Sequence, residues 1–231
     1  MPTEVIKWAS AYSTWGLTIR SLEKAYSPSR LLDVLAAYLP SGSSANVLEL
    51  GCAPGRWLAW AVKTLSIGGV GVELDVVGAR LSHELYPGLR IARADAQLLP
   101  FADCSFDAVF SLGLIEHFDD PTPILQETRR VLRRGGITIC SVPNLEPRSF
   151  CRWHWERFQP KLFAAHRPYT LSELCETFSL AGFRVIHSEV NGLYIPHLQR
   201  VLGRLPFRRL LRRFENPGSA ASLVTVARPW S

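Results

Sequence analysis

The sequence lacks the patterns that mark several common protein classes. Its five cysteines, at positions 52, 104, 140, 151 and 175 of 231 residues, form no Cys-x-x-Cys pair and no metal-ligand spacing. A disulfide scaffold and a structural zinc are therefore not expected, and no metal is assigned. An odd number of cysteines without a framework points to free thiols in a reducing compartment. No apolar run approaches the ~18 residues that span a bilayer. The opening segment MPTEVIKWAS has no apolar stretch of the kind a secretion signal carries, so a cytoplasmic location is the expectation. There is no internal repeat and no low-complexity tract. The excess of basic over acidic residues is small, 26 Lys and Arg against 20 Asp and Glu for a net charge of +6. That balance is compatible with a nucleic acid or an anionic surface and specifies neither.

What is present is the composition of an ordinary globular domain, 47% hydrophobic and 20% charged, enough to bury a sizeable core. Apolar runs bounded by glycine and proline read as strands over residues 46–50, 70–74, 89–94, 106–111, 137–142, 183–186 and 222–227. Between them lie segments with helical spacing. One follows Ser27-Pro28 and carries Leu31, Leu32, Leu35 and Leu39. Others cover about 56–65 and 76–85. A further helix begins at Asp120-Pro121 and is expected to stop at Gly135-Gly136. Its arginines 129, 130, 133 and 134 read as complements to the helix dipole and as solvated surface. Thr170 and Glu173 form a capping box at the head of another helix. Strand and helix in regular alternation predict an α/β fold. The seven apolar runs give seven candidate strands of a mostly parallel sheet, with an N-terminal helical arm and a lid insertion beside it.

Sheets of this kind bind ligands beyond the carboxyl ends of their strands. Gly51, Glu73, Asp95 and Ser111-Leu112 all fall at such ends. The stretch VLELGCAPGRWL, residues 47–58, runs from a strand through a glycine turn into a helix, which brings backbone N–H groups close to whatever lies over the turn. A phosphate-binding loop would need Gly-Lys-Ser/Thr, which is absent. A dinucleotide turn would need Gly-x-Gly-x-x-Gly, and those positions hold Gly51, Ala53 and Arg56.

The remaining Glu-x-Gly-x-x-x-Gly pattern, with GVGVELD, ARADAQLLPFADCSFDAVFSLGLIEHF and VLRRGGITICSVPN after it, resembles the successive motifs of class I S-adenosylmethionine-dependent methyltransferases. The likeness is nearest to the small-molecule, type 11 branch that includes ubiquinone and menaquinone biosynthesis enzymes. It covers residues 45–145 well and extends more loosely to 186. Ala53 stands where the family often has a middle glycine. The resemblance implies a Rossmann-like seven-stranded sheet with helices on both faces and an antiparallel last strand, with S-adenosyl-L-methionine as cofactor and S-adenosyl-L-homocysteine as its product. Glu49 would lie near the methionine ammonium, and Gly51, Cys52, Ala53 and Gly55 would border the methionine portion. Glu73 would accept from the ribose hydroxyls, Asp95 from the adenine amino group, and the Ala96 N–H would serve a ring nitrogen. Leu74 and Leu112 would touch the adenine or the methionine arm. One domain is implied, with a helical cap over 1–44, a cofactor core over 45–145, and substrate covers over 144–168 and 190–216.

Cys52 has no adjacent base and reads as a small neighbour rather than a nucleophile. His117 follows the fourth strand and is the candidate base, ahead of His154 and His166. Aromatic residues at 153–163, with Tyr12 and Trp15, suggest an apolar or aromatic small-molecule acceptor, oxygen preferred over carbon or nitrogen. Residues 197–214 alternate leucines with six arginines and read as an amphipathic cover or a peripheral membrane contact. RNA or protein methylation is an alternative, but no RNA-binding module is present and Val142-Pro143-Asn144 follows the fifth strand, so no nucleic-acid partner is expected. A non-catalytic cofactor-binding protein is a second alternative, against which Gly51, Glu73 and Asp95 weigh. Monomer and homodimer are both compatible with the sequence.

Overall fold

The computed structural model describes residues 30–194 and 218–230. The expected arm over 1–26, the Ser27-Pro28 cap and the amphipathic stretch 197–214 lie outside the described residues. Seven strands form one sheet: β1 (Asn46–Leu50), β2 (Gly68–Glu73), β3 (Arg90–Arg93), β4 (Phe106–Leu112), β5 (Leu132–Pro143), β6 (Phe183–Leu193) and β7 (Ala220–Pro229). Their order is β3-β2-β1-β4-β5-β7-β6. β7 runs antiparallel to both neighbours, and every other pairing is parallel. The helices are α1 (Leu31–Tyr38), α2 (Arg56–Leu65), α3 (Val76–Leu85), α4 (Thr122–Val131), α5 (Phe150–Phe158), α6 (Pro160–Ala164) and α7 (Leu171–Leu180).

Period-two burial divides the core into two layers, as strands covered on both faces require. On one face Leu48, Leu50, Val109, Cys140 and Val142 pack with Ile124, Leu125, Leu174 and Phe178 of α4 and α7. On the other, Val47, Ala108, Phe110, Ile137 and Ile139 pack with Leu31, Leu35, Leu58 and Ala61 of α1 and α2. A Leu or Phe buried this fully contributes about 1.5–3 kcal/mol. The strand order reverses between β1 and β4, so a crevice opens beyond their carboxyl ends.

Several features differ from the sequence reading. The helix expected to run through the arginines ends at Val131. The Cys104 and Ser105 N–H groups take the carbonyls of Arg130 and Val131, and Leu132 turns extended to pair with Phe106. Gly135, at φ +76°, then sits in a bulge that brings Ile137 opposite Ala108. The arginines are also more than solvated surface. Arg130 donates to Glu127, Asp103 and the carbonyls of Leu99 and Phe101, and Arg133 takes both oxygens of Asp107. Finally, residues 190–193, expected in a cover, are sheet, because β6 pairs with β7 from Phe183 opposite Pro229 to Leu193 opposite Ala220.

The free thiols divide by burial. Cys104 is exposed and Cys175 half-buried, whereas Cys52, Cys140 and Cys151 are buried. Burial pushes the thiols of Cys140 and Cys151 up to about 12, and burial followed by the nearby Glu49 and Glu73 pushes Cys52 up as well. Iodoacetamide at about pH 8 is therefore expected to label Cys104 first and to reach the three buried thiols only on unfolding, since the thiolate is the reactive form. Peptide mass spectrometry reads the order, and early labelling of Cys140 would contradict this packing.

Candidate functional site

The glycine turn after β1 is held by backbone hydrogen bonds. The Cys52 N–H donates to the Val72 carbonyl at 3.0 Å, and the Gly55 N–H closes the turn on the Cys52 carbonyl at 2.6 Å. The Ala53–Pro54 peptide is cis, and Gly51 and Gly55 stand at φ +67° and +88°, in the left-handed region that side chains oppose. A Cβ at Gly51 would meet Leu114 at 3.0 Å, so the turn faces the segment after β4 across the crevice.

Glu49 is 1% exposed and accepts from the Leu58 N–H at 3.0 Å. It thereby caps the first turn of α2, where a carboxylate is favoured by the helix dipole. Burial holds its carboxyl well above the usual range, opposed by the Leu58 N–H and by Arg56. Glu73, at the end of β2, accepts from the Asp75 N–H at 2.9 Å and the Ala53 N–H at 3.3 Å. One carboxylate thus joins the glycine turn to the head of α3, where Asp75 in turn accepts from the Gly78 N–H at 2.8 Å. Burial raises Glu73, and its backbone donors partly restore the charged form.

The Ala94 N–H bonds to the Glu73 carbonyl at 3.2 Å, which sets the loop after β3 beside the end of β2. There Asp95 accepts from the Gln97 N–H at 2.8 Å, with Ala96 buried next to it. Leu74 stands 58% exposed, and Leu112 is half-buried against the α1–α2 layer. The turn, Glu73, Asp95 and Ala96 therefore occupy neighbouring strand ends. A groove of about 640 Å³ lined by Trp60, Lys63, Tyr86 and Pro87 lies elsewhere, toward the amino ends of the strands.

A second group lies across the crevice. β4 leads into a short 3-10 turn, Ile115–His117. The insertion made by α5 and α6 returns over this turn: the Arg167 N–H donates to the Glu116 carbonyl at 2.7 Å, and the Arg167 guanidinium donates to the Asp119 carbonyl at 2.8 Å. His117 and His166 stand with ring centroids 4.3 Å apart. Glu116 is 2% exposed, and burial pushes its carboxyl up to about 8. Burial, then the neighbouring His166, holds His117 down to about 4, and burial lowers His166 also.

His154 lies apart from this pair, in an aromatic group with Tyr194, Phe150 and Phe158. Tyr194 joins His154 and the Trp155 N–H through its hydroxyl, each at 2.9 Å, while Trp153 and Phe158 stay more than half exposed. Sequence reasoning passed over Glu116 and ranked His166 below His117. The adjacency of Glu116 to His117 was the available signal for the first; the approach of residues 165–167 is tertiary and left none.

In sequence the chain is similar to known proteins over part of its length. Residues 48–140 match the family model described as a methyltransferase domain, of type 11. The chain is 28% identical over 170 residues to the O-methyltransferase resE of Aspergillus sclerotiorum, covering 68% of this chain and 61% of that protein. It is 31% identical over 141 residues to a probable S-adenosylmethionine-dependent methyltransferase of Mycolicibacterium smegmatis, covering 61% and 52%. The chain thus spans between about half and three fifths of these relatives. In fold it is similar to a SAM-dependent methyltransferase structure from Thermotoga maritima, with a TM-score of 0.67, 24% identity and 97% of both chains covered.

Proposed function

Starting from a chain that belongs to the class I S-adenosylmethionine-dependent methyltransferases of type 11, we propose that it transfers the cofactor's methyl group to a hydroxyl of a small apolar or aromatic molecule. The observation that carries this reading is the placing of Gly51–Gly55, Glu73 and Asp95 at the ends of three neighbouring strands, β1, β2 and β3.

The residues present fit the cofactor. A Cβ at Gly51 would crowd Leu114 at 3.0 Å across the crevice, and the adjacent carboxylates suit hydroxyl and amino donors. In this reading Gly51, Cys52, Ala53 and Gly55 border the methionine portion, Glu73 holds the ribose, Asp95 and Ala96 hold the adenine, and Leu74 and Leu112 flank it. When bound, the cofactor supplies an electrophilic methyl group on a sulfonium. Glu49 acts through its cap on α2, which fixes the turn that the methionine portion would meet. The Cys52 thiol, buried and kept protonated, is no nucleophile.

The remaining task for this chain is to align the acceptor and exclude water, since in-line approach supplies much of the rate. The α5–α6 insertion provides the cover, and its aromatic residues favour an apolar acceptor. His117 is the acceptor-side residue expected to assist removal of the hydroxyl proton. With its imidazolium held down to about 4 it is neutral at pH 7 and a weak base by itself. The small-molecule reading takes support from the O-methyltransferase resemblance; a cytoplasmic location and a monomeric or dimeric state belong to the same proposal. Among the described residues no helix is long and apolar enough to cross a membrane.

The test is methyl transfer from radiolabelled cofactor to three panels: phenols and other hydroxyl compounds, amines, and macromolecules (transfer RNA and total protein). Label entering a hydroxyl compound, with S-adenosylhomocysteine released, is the expected result. Label entering only RNA or protein would replace the small-molecule reading.

A further inference from the structure

We propose that Glu116, His117 and His166 form a binding site for one divalent transition-metal ion, of the zinc or manganese type, whose open position receives the acceptor's hydroxyl oxygen. The metal site stands on its own geometry; the role toward the acceptor rests on the methyl-transfer reading above.

One carboxylate oxygen of Glu116 and one ring nitrogen of each histidine lie within 4.8 Å of one another. Side-chain adjustments within about 1 Å bring such a set to the roughly 2.0–2.2 Å ligand distances of zinc. Both imidazoles are held in the manner of metal ligands. His117 Nδ1 lies 3.3 Å from the Ala165 carbonyl, and His166 Nδ1 lies 2.6 Å from the Leu162 carbonyl. A carbonyl oxygen only accepts, so Nδ1 carries the proton at both rings and Nε2 carries the lone pair. Backbone carbonyls on the far nitrogen fix the tautomer and orientation of metal-bound histidines in the same way.

Glu116 supplies the independent observation. Its Oε2 is buried without a hydrogen-bond partner, in a side chain only 2% exposed. The Tyr169 hydroxyl, within electrostatic reach of Glu116, is a second buried oxygen without a partner. A buried carboxyl oxygen left this way is costly, and a coordinated cation removes the cost. Two histidines and one carboxylate make the N/O donor set that suits zinc, manganese, iron and cobalt rather than calcium or magnesium. Three protein ligands also leave a position open, as catalytic rather than structural sites do.

The charges then balance. A dication with one carboxylate and two neutral imidazoles carries +1, and an acceptor bound as phenolate or alkoxide neutralises it. The ion would lower the pKa of the bound hydroxyl, as it does for bound water. The hydroxyl proton leaves to solvent, the oxygen lone pair forms the new O–CH3 bond, and the S–CH3 bond breaks with its electrons going to sulfur. As a ligand His117 takes no proton itself, so the ion would replace the base role proposed for it above.

The experiment uses the full chain, freed of metal by chelator and dialysis, and titrated with zinc chloride and separately with manganese chloride in a calorimeter. Cobalt(II) serves as a visible-absorption probe of the ligand set. One equivalent of zinc is expected to bind. Glu116→Gln, which keeps the shape, and His166→Ala should each weaken binding by roughly 100-fold or more, whereas His83→Ala, at an exposed histidine away from the site, should not. Melting curves of each variant separate loss of ligand from loss of fold. No zinc or manganese bound by the wild type, or binding unchanged in both Glu116→Gln and His166→Ala, would overturn the site. S-adenosylhomocysteine is titrated in parallel. If it binds while metal does not, the site fails and the methyl-transfer reading stands. If metal binds while it does not, the ion site stands and the acceptor role falls.

Discussion

Replacing Glu73 by alanine is expected to weaken binding of S-adenosylhomocysteine by about 100-fold or more. Two effects combine. Glu73 positions the site by accepting from the Ala53 and Asp75 N–H groups at 3.3 and 2.9 Å, so its loss releases both the glycine turn and the head of α3. In the proposed complex it also accepts from the ribose hydroxyls. Hydrogen bonds to a charged group contribute about 1.5–3 kcal/mol each, and the loss of two amounts to a factor of at least about 100. Calorimetric titration of wild type, Glu73→Ala and Glu73→Gln checks this. Glutamine keeps the shape and one acceptor oxygen and should fall between the other two. Unchanged affinity in the alanine variant would remove the ribose assignment, provided the variant melts as a folded protein.

The second large effect is expected at Gly71, a β2 residue that touches no proposed ligand. A Cβ there would lie 2.6 Å from the Cys52 sulfur, 2.9 Å from the Cys52 Cβ and 2.9 Å from Ile91. Cys52 is buried and Ile91 half-buried, so Gly71→Ala should cost about 1–3 kcal/mol, in the range of overpacked cores. A domain of this size then melts several degrees lower. The strain falls on Cys52, whose N–H is tied to the Val72 carbonyl inside the glycine turn, so cofactor affinity should drop with stability. Cys52→Ala removes the nearest atom. The double variant Gly71→Ala/Cys52→Ala should recover part of the loss, whereas additive losses would show that the methyl group is accommodated by another route.

The glycine-turn half of the candidate site was legible because its parts are local. A strand, a glycine turn and a helix lie within residues 46–65, and the acidic residues at 73 and 95 each end the next strand. What reading in order could not supply was the second partner of each group. Glu49 had a place at a strand end but no visible bond to Leu58. Gly71 looked like one glycine of a strand, not the residue that makes room for Cys52. Arg130 looked like a dipole complement, and only the fold brings the loop at 99–103 under it. The end of α4 was misjudged for a related reason. Gly135-Gly136 is a sound local stop signal, but β4 pairs with Leu132 first, and that pairing captures the last helical carbonyls. The acceptor side was the least legible, because Glu116, His117 and His166 meet only when residues 165–167 return over the turn after β4.

The position of β7 has a consequence for how the molecule is made. It lies between β5 and β6 and supplies the only strand pairing that β6 has among the described residues. As the chain leaves a ribosome, β5 emerges with one side open and β6 with none of its partners, until residues 220–229 follow. The half built by residues 46–143 can assemble from neighbours close in sequence, whereas the far edge waits for pairings of high sequence separation, the slow and aggregation-exposed part of folding. Half-made chains would therefore present an uncovered edge beside a finished glycine turn, and an added tag or truncation near residues 220–229 would disturb β6 and the insertion before it reached the side that carries the glycine turn.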